Sequence, residues 1–234
     1  MNDILKIDHL TKIFPDTNRG VKDINMSVQS GSFHAFIGEN GAGKTTTIKT
    51  IIGAFSNYDG QILINDINIK KAQAKSYIGY VPEIAIFPKE LTTLQYLTYL
   101  GFLSNLDKNQ LEEKIKKFLE MFNISNLINE KPYNFSSGQK KKILLIQALL
   151  HNPKLLILDE PAANLDPTAR YELFSFLQKI NKQENISILI SSHNLSEIDK
   201  YVDSLTLIHR GNILYSGVKT KSLEDIFYEK VIAK

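Results

Sequence analysis

The stretch Gly38-Glu39-Asn40-Gly41-Ala42-Gly43-Lys44-Thr45 constrains this chain more than any other. It fits the pattern G-x-x-x-x-G-K-[ST] in full. A strand candidate, Ser32–Ile37, runs into it, and a helix candidate over Gly43–Phe55 leaves it. Glycines at 38, 41 and 43 let the backbone curl, so that successive N–H groups point inward as an anion nest. The helix beginning near Gly43 adds its positive N-terminal end. The candidate phosphate site is therefore the run from Gly38 to Thr46, namely Gly38, Glu39, Asn40, Gly41, Ala42, Gly43, Lys44, Thr45 and Thr46. Lys44 can reach the β- and γ-phosphates of a nucleotide, and the Thr45 hydroxyl can ligate Mg²⁺.

Such a loop needs an α/β frame, and the rest of the chain supplies the runs for one. Leu155–Leu158, Ser187–Ile190 and Leu205–Ile208 are continuous apolar runs bounded by polar residues. These suit strands buried on both faces of a parallel sheet. Asp59–Ile69 alternates apolar and polar about Asn65-Asp66 and reads as a hairpin. Between about Pro88 and Asn152 strand signals disappear. Leu91, Leu94, Leu97, Leu100 and Leu103 draw a helical stripe there, expected to be core rather than docking surface. Leu111–Asn123 is amphipathic, and Ile143–Leu150 is a third helix. The reading is a helical lobe over 88–152 inserted into an α/β core formed by 1–87 and 153–234. Lys140-Lys141-Lys142 reads as a solvated helix face.

Composition narrows the function classes. With 28 Lys+Arg against 25 Asp+Glu, a net charge of +3 gives no case for nucleic acid. The absence of cysteine removes disulfides, thiolate metal sites and a cysteine nucleophile. No apolar run approaches the roughly 20 residues that a spanning helix needs. The first residues show no secretory pattern, so the chain is expected in the cytoplasm.

The second half of a phosphate site is an acidic residue at the end of a buried strand. Leu155-Leu156-Ile157-Leu158-Asp159-Glu160 provides it. Asp159 would emerge where α/β sheets bind ligands and would hold Mg²⁺. Glu160 is placed to orient and deprotonate a water.

With these in place, Phe135-Ser136-Ser137-Gly138-Gln139 resembles the LSGGQ signature of the ATP-binding cassette (ABC) family. Phe135 and Ser137 depart from it, while Ser136 and Gly138 keep it. Ser136 can cap the helix that follows. Asn164-Leu165-Asp166 resembles the family's D-loop, and His193 falls at its switch histidine. Phe14 is similar to the aromatic that stacks on adenine. Glu83, in Ile78-Gly79-Tyr80-Val81-Pro82-Glu83, stands where the family usually has Gln. A carboxylate there keeps metal ligation and adds negative charge.

The resemblance implies a P-loop NTPase (RecA-like) core with a β-rich N-terminal part and an inserted α-helical subdomain. It implies an ATPase using ATP and Mg²⁺, with catalytic Lys44, Glu160 and His193. Nucleotide contacts fall to Phe14, Glu83 and the Gly38–Thr46 run. Ser136, Ser137, Gly138, Gln139 and Asp166 would act across the dimer, and Thr45, Asp159 and Glu83 would hold the metal. It implies a second cassette, identical or different, and a separate transmembrane permease that holds the chain at the inner face of the cell membrane. GENGAGKTTT, the IGYVPE lid and the short tail beyond Gly211 resemble exporter cassettes of the bacitracin-resistance and multidrug type. The alternative is a soluble, non-transport ABC ATPase, for example an iron–sulfur assembly type.

Overall fold

The computed structural model describes residues 2–233. Its centre is a six-stranded sheet. β3 (Phe33–Ile37), β6 (Ile78–Val81), β7 (Leu155–Leu158), β8 (Ser187–Ser192) and β9 (Ser204–His209) run parallel, and β10 (Asn212–Val218) pairs antiparallel at one edge. The order across the sheet is β10-β9-β3-β8-β7-β6. A second, antiparallel sheet has β1 (Asp3–Phe14) between β2 (Arg19–Gln29) and β4 (Asp59–Ile64), with β5 (Ile67–Asn68) beside β4.

The continuous apolar runs form strands because both faces of the central sheet are covered. In β7, Leu155 and Ile157 pack toward the antiparallel sheet and α1 (Lys44–Ile51), while Leu156 and Leu158 pack toward the other helices. The alternation of side chains along a strand divides one run between two cores. Burial of each such Leu or Ile stabilises the fold by roughly 1.5–3 kcal/mol.

Five further helices bear on the site and its surroundings. They are α2 (Ala72–Lys75), α3 (Thr93–Leu103), α4 (Lys108–Met121), α5 (Ser137–Leu149) and α6 (Pro167–Glu184). α7 (Leu195–Ile198) and α8 (Leu223–Phe227) complete the chain. Among the described residues no strand lies between Val81 and Leu155, as the sequence predicts. α3 and α5 each begin with a capping box: Thr92 with Gln95, and Ser136 with Gln139. α6 starts at Asp166, whose Oδ1 accepts from the Ala169 N–H at 2.9 Å, with Pro167 at its first position.

Three expectations change. The helix after the phosphate loop stops at Ile51, short of Phe55. The leucine stripe is not one buried face. Leu97 is fully buried and Leu94 packs on the core, yet Leu103 is 81% exposed. A repeat of three drifts around a helix of 3.6 residues per turn, so its ends leave the core. The lysine triplet is not a solvated face either. Lys141 is only 5% exposed, and Lys142 donates to the Phe122 carbonyl and pairs with Glu172 at 2.8 Å.

Candidate active site

The order of strands brings the predicted residues together. β3, β8, β7 and β6 are neighbours, and their C-terminal ends carry the phosphate loop, His193, Asp159-Glu160 and Glu83 in that sequence. A cleft of about 360 Å³ opens there. Asn40, Gly41, Gly43, Lys44, Thr45 and Thr46 line it from the loop, Phe14 from β1, and Glu83, Glu160 and His193 from the other strand ends. Arg19 and Gly20, which the sequence reading does not single out, line it as well.

The loop's glycines are required by contact. Gly43 has φ +114, and a Cβ there would lie 2.5 Å from Val21 Cγ1. At Gly38 a Cβ would lie 2.3 Å from the Ile208 carbonyl oxygen. Lys44 is buried, and its Nζ donates to the carbonyls of Gly38 at 2.7 Å and Glu39 at 3.2 Å. Thr47 and Thr50 turn their hydroxyls back onto helix carbonyls. Thr45 and Thr46 hydroxyls take no hydrogen bond among the described residues and stand at the cleft.

The acidic pair is held by a residue that spacing did not reveal. Ser191 Oγ donates to Asp159 Oδ1 at 2.7 Å and accepts the Glu160 N–H at 2.9 Å. Asp159 is 2% exposed. Glu160 adopts φ 43, a left-handed conformation costly for a residue with a side chain. That turn sends its carboxylate back over the loop. Oε2 lies 2.9 Å from His193 Nδ1, and Oε1 lies 3.4 Å from Lys44 Nζ. The latter is an ion pair and makes no hydrogen bond, so Oε1 is buried with no hydrogen-bond partner among the described residues. With Glu160 ionised, His193 Nδ1–H is the donor.

Phe14 packs edge-on against Phe55 at 5.5 Å, and the Lys12 ammonium lies 5.2 Å from its ring centre. The Glu39 carboxylate turns toward His209 at 3.5 Å. Gly38, Glu39, Ala42 and Asp159 do not line the cleft; Gly38, Ala42 and Asp159 are buried, while Glu39 is exposed. Ser136, Ser137, Gly138, Gln139 and Asp166 do not line it either. Ser136 caps α5, Ser137 Oγ donates to the Asn164 carbonyl at 2.9 Å, and Asp166 caps α6. The N-termini of α5 and α6 thus form a separate face, joined through Ser137 and Asn164.

These donors suit a metal–nucleotide. A glycine-lined nest with an ammonium suits phosphate. The free Thr45 hydroxyl and the Asp159 and Glu83 carboxylates are hard oxygens of the kind Mg²⁺ prefers. Glu160 Oε1, ion-paired with Lys44 but accepting no hydrogen bond among the described residues, keeps acceptor capacity beside the loop.

Comparison with known proteins identifies the family. The family model for ABC transporters matches residues 21–163. A putative ABC transporter ATP-binding protein of Mycoplasma pneumoniae is 48% identical over 94% of this chain and 68% of its own length. The bacitracin transport ATP-binding protein BcrA of Bacillus licheniformis is 36% identical over 92% of this chain and 69% of its own. The solved structure of CbiO1 from Clostridium perfringens, described as part of the ABC transporter complex CbiONQ, superposes with a TM-score of 0.82. It is 26% identical, covering 98% of this chain and 92% of that one. The sequence motifs, the strand-end geometry and these likenesses together place the chain in the ABC transporter family, as an ATP-binding subunit.

Proposed function

We propose that this chain hydrolyses ATP with Mg²⁺ and drives export through a separate membrane-spanning subunit. The observation that carries the enzymatic part is the meeting of Lys44, Glu160 and His193 over the phosphate loop. The nest and Lys44 bind and orient the triphosphate. Glu160 accepts the proton of the attacking water, while His193 holds that carboxylate in place. Thr45, Asp159 and Glu83 would hold Mg²⁺, which when bound would neutralise phosphate charge. Phe14 offers its ring to the base. Phosphoryl transfer asks little more of a protein than such positioning.

The partners follow from what one chain leaves apart. Ser136–Gln139 and Asp166 lie outside the cleft, so we assign them to the cleft of a second cassette, approached head-to-tail. The N-terminus of α5 then meets the phosphate held by the partner's loop. We take 1–87 with 153–234 as the core of one cassette and 88–152 as its helical part. Among the described residues no helix is long and apolar enough to cross a membrane. The exposed Ile84 and Ile86, just beyond Glu83, and Tyr99, Phe102 and Leu103 on α3 offer apolar surface to a permease helix. Phe87 packs against Tyr96 at 5.0 Å and fixes the Glu83 segment to α3.

Export rests on the likeness of the loop and lid to bacitracin-type cassettes and on the relation to BcrA. The chain spans about two thirds of the curated relatives' length. Purification from membranes under mild detergent is expected to bring a multi-spanning protein with this chain. Recovery with soluble proteins alone would overturn the transport reading and favour a soluble ABC ATPase. Direction has its own measurement: export predicts compounds that accumulate inside cells depleted of the chain, and import predicts compounds that become scarce.

A further inference from the structure

Lys141 lies in the first half of α5, five residues beyond its Ser136 cap, and it is buried. A buried ammonium must find partners. Its Nζ donates to the carbonyls of Pro82 at 3.0 Å and Glu83 at 3.1 Å. These residues follow β6 directly, so one side chain ties the helix that begins at Ser136 to the segment carrying Glu83. Two carbonyls need only a neutral donor, and burying a cation for them alone would be costly. The charge has another reason. Asp159 N–H donates to the Val81 carbonyl at 3.0 Å, so the Pro82–Glu83 segment that Lys141 holds runs beside the buried Asp159, and the ammonium stands near two carboxylates. The Tyr80 phenol feels the same surroundings, pushed up to about 12 by burial and then by Asp159 and Glu83. Lys44, the other buried lysine near the site, is committed to Gly38, Glu39 and Glu160.

We propose that Lys141 is a positioning residue: its ammonium balances Glu83 and Asp159 from behind the site and couples the Pro82–Glu83 segment to α5. Through those two carbonyls, a movement of the Pro82–Glu83 segment would be carried by Lys141 to α5, whose N-terminus we assign to the partner cassette. This rests on the ATPase reading above.

The test is a cycle of Lys141→Gln, Glu83→Gln and the double variant, read by two quantities. The first is the Mg²⁺ concentration that half-saturates binding of a fluorescent ATP analogue. Lys141→Gln leaves two carboxylates unbalanced and is expected to lower it by about threefold or more. Glu83→Gln is expected to raise it, and the double variant to return near wild type. The second is the melting temperature without metal or nucleotide. Lys141→Gln is expected to lower it more with Glu83 present than with Glu83→Gln. A purely structural lysine would lower the melting temperature and leave the Mg²⁺ requirement unmoved, which overturns the proposal. If Lys141→Gln does not fold, the exposed Glu83→Gln decides alone. It should lower the metal-free melting temperature, because Lys141 loses a balancing charge; a rise or no change overturns the proposal. Wild-type protein that binds the analogue but never hydrolyses ATP would sink the ATPase reading instead, while this cycle would still be measurable.

Discussion

At the scale of single residues, Ser191 shows how one hydroxyl sets two acids in different roles. It donates to Asp159 and accepts from the Glu160 backbone. Asp159 is thereby held in its buried position, and Glu160 takes its left-handed conformation with a carboxylate over the loop. Removing that hydroxyl leaves a carboxylate oxygen and a backbone N–H without their shared partner, a loss of about 1–3 kcal/mol. Ser191→Ala is therefore expected to slow ATP turnover by about tenfold or more, in a steady-state phosphate-release assay. Full activity would remove Ser191 from the positioning of the pair. Glu160→Gln keeps shape and loses basicity. It is expected to retain ATP affinity, lose most turnover and trap an ATP-dependent dimer on gel filtration; wild-type turnover would refute Glu160 as base. The sequence made Lys44, Glu160 and His193 legible because each sits at a fixed distance along the chain from a recognisable run. Ser191 was harder to read, since it is an ordinary residue whose role depends on a neighbouring strand. Its one sequence signal is that Ser191-Ser192 interrupts an apolar run just before His193.

At the scale of elements, the strands were legible and the helix surfaces less so. A strand's two faces alternate, and β7 obeys that rule residue by residue. A helix face depends on which neighbours arrive, and sequence does not state those. Lys140-Lys141-Lys142 looks uniform, yet its members meet different surroundings once β6 and α6 pack against α5. Leu173, Phe174, Leu177 and Ile180 recur at helical spacing and are buried in α6, a helix the sequence reading does not assign. The exposed end of α3 is where an element serves something outside the chain. Leu103 and Ile86 are each 81% exposed. Replacing either by Asp costs the isolated fold little, since surface changes usually fall within about 0.5 kcal/mol. Leu103→Asp and Ile86→Asp are expected to keep ATP binding and lose co-purification with the membrane subunit. Retained co-purification in both would move the docking surface elsewhere.

At the scale of the whole molecule, two apolar cores are separated by one central sheet, and the site sits on its edge where four strands end together. What joins the sheet's flank is polar. His34 on β3 is fully buried, with Nδ1 at 2.8 Å from Ser204 Oγ and Nε2 at 2.8 Å from Thr206 Oγ1. Thr206 bonds in turn to Ser216, so the network crosses β3, β9 and β10. The sequence shows only a lone histidine in an apolar strand; its partners lie about 170 residues away. Burial pulls the His34 imidazole down to about 3, against about 6.5 in an unfolded chain. The unfolded chain therefore takes up a proton first as pH falls. The stability tied to the neutral ring is complete above about pH 6.5 and is lost progressively toward about pH 3. Between about pH 7.5 and about pH 5.5 this amounts to about 1.4 kcal/mol lost. His151, also lowered by burial, adds a loss of the same sign. Urea unfolding at the two pH values should show the difference. In His34→Gln, which keeps a donor and an acceptor for Ser204 and Thr206 but does not titrate, stability at neutral pH should fall and the pH difference should shrink by about 1.4 kcal/mol. An undiminished difference would mean that the buried histidine does not carry the acid sensitivity of this fold.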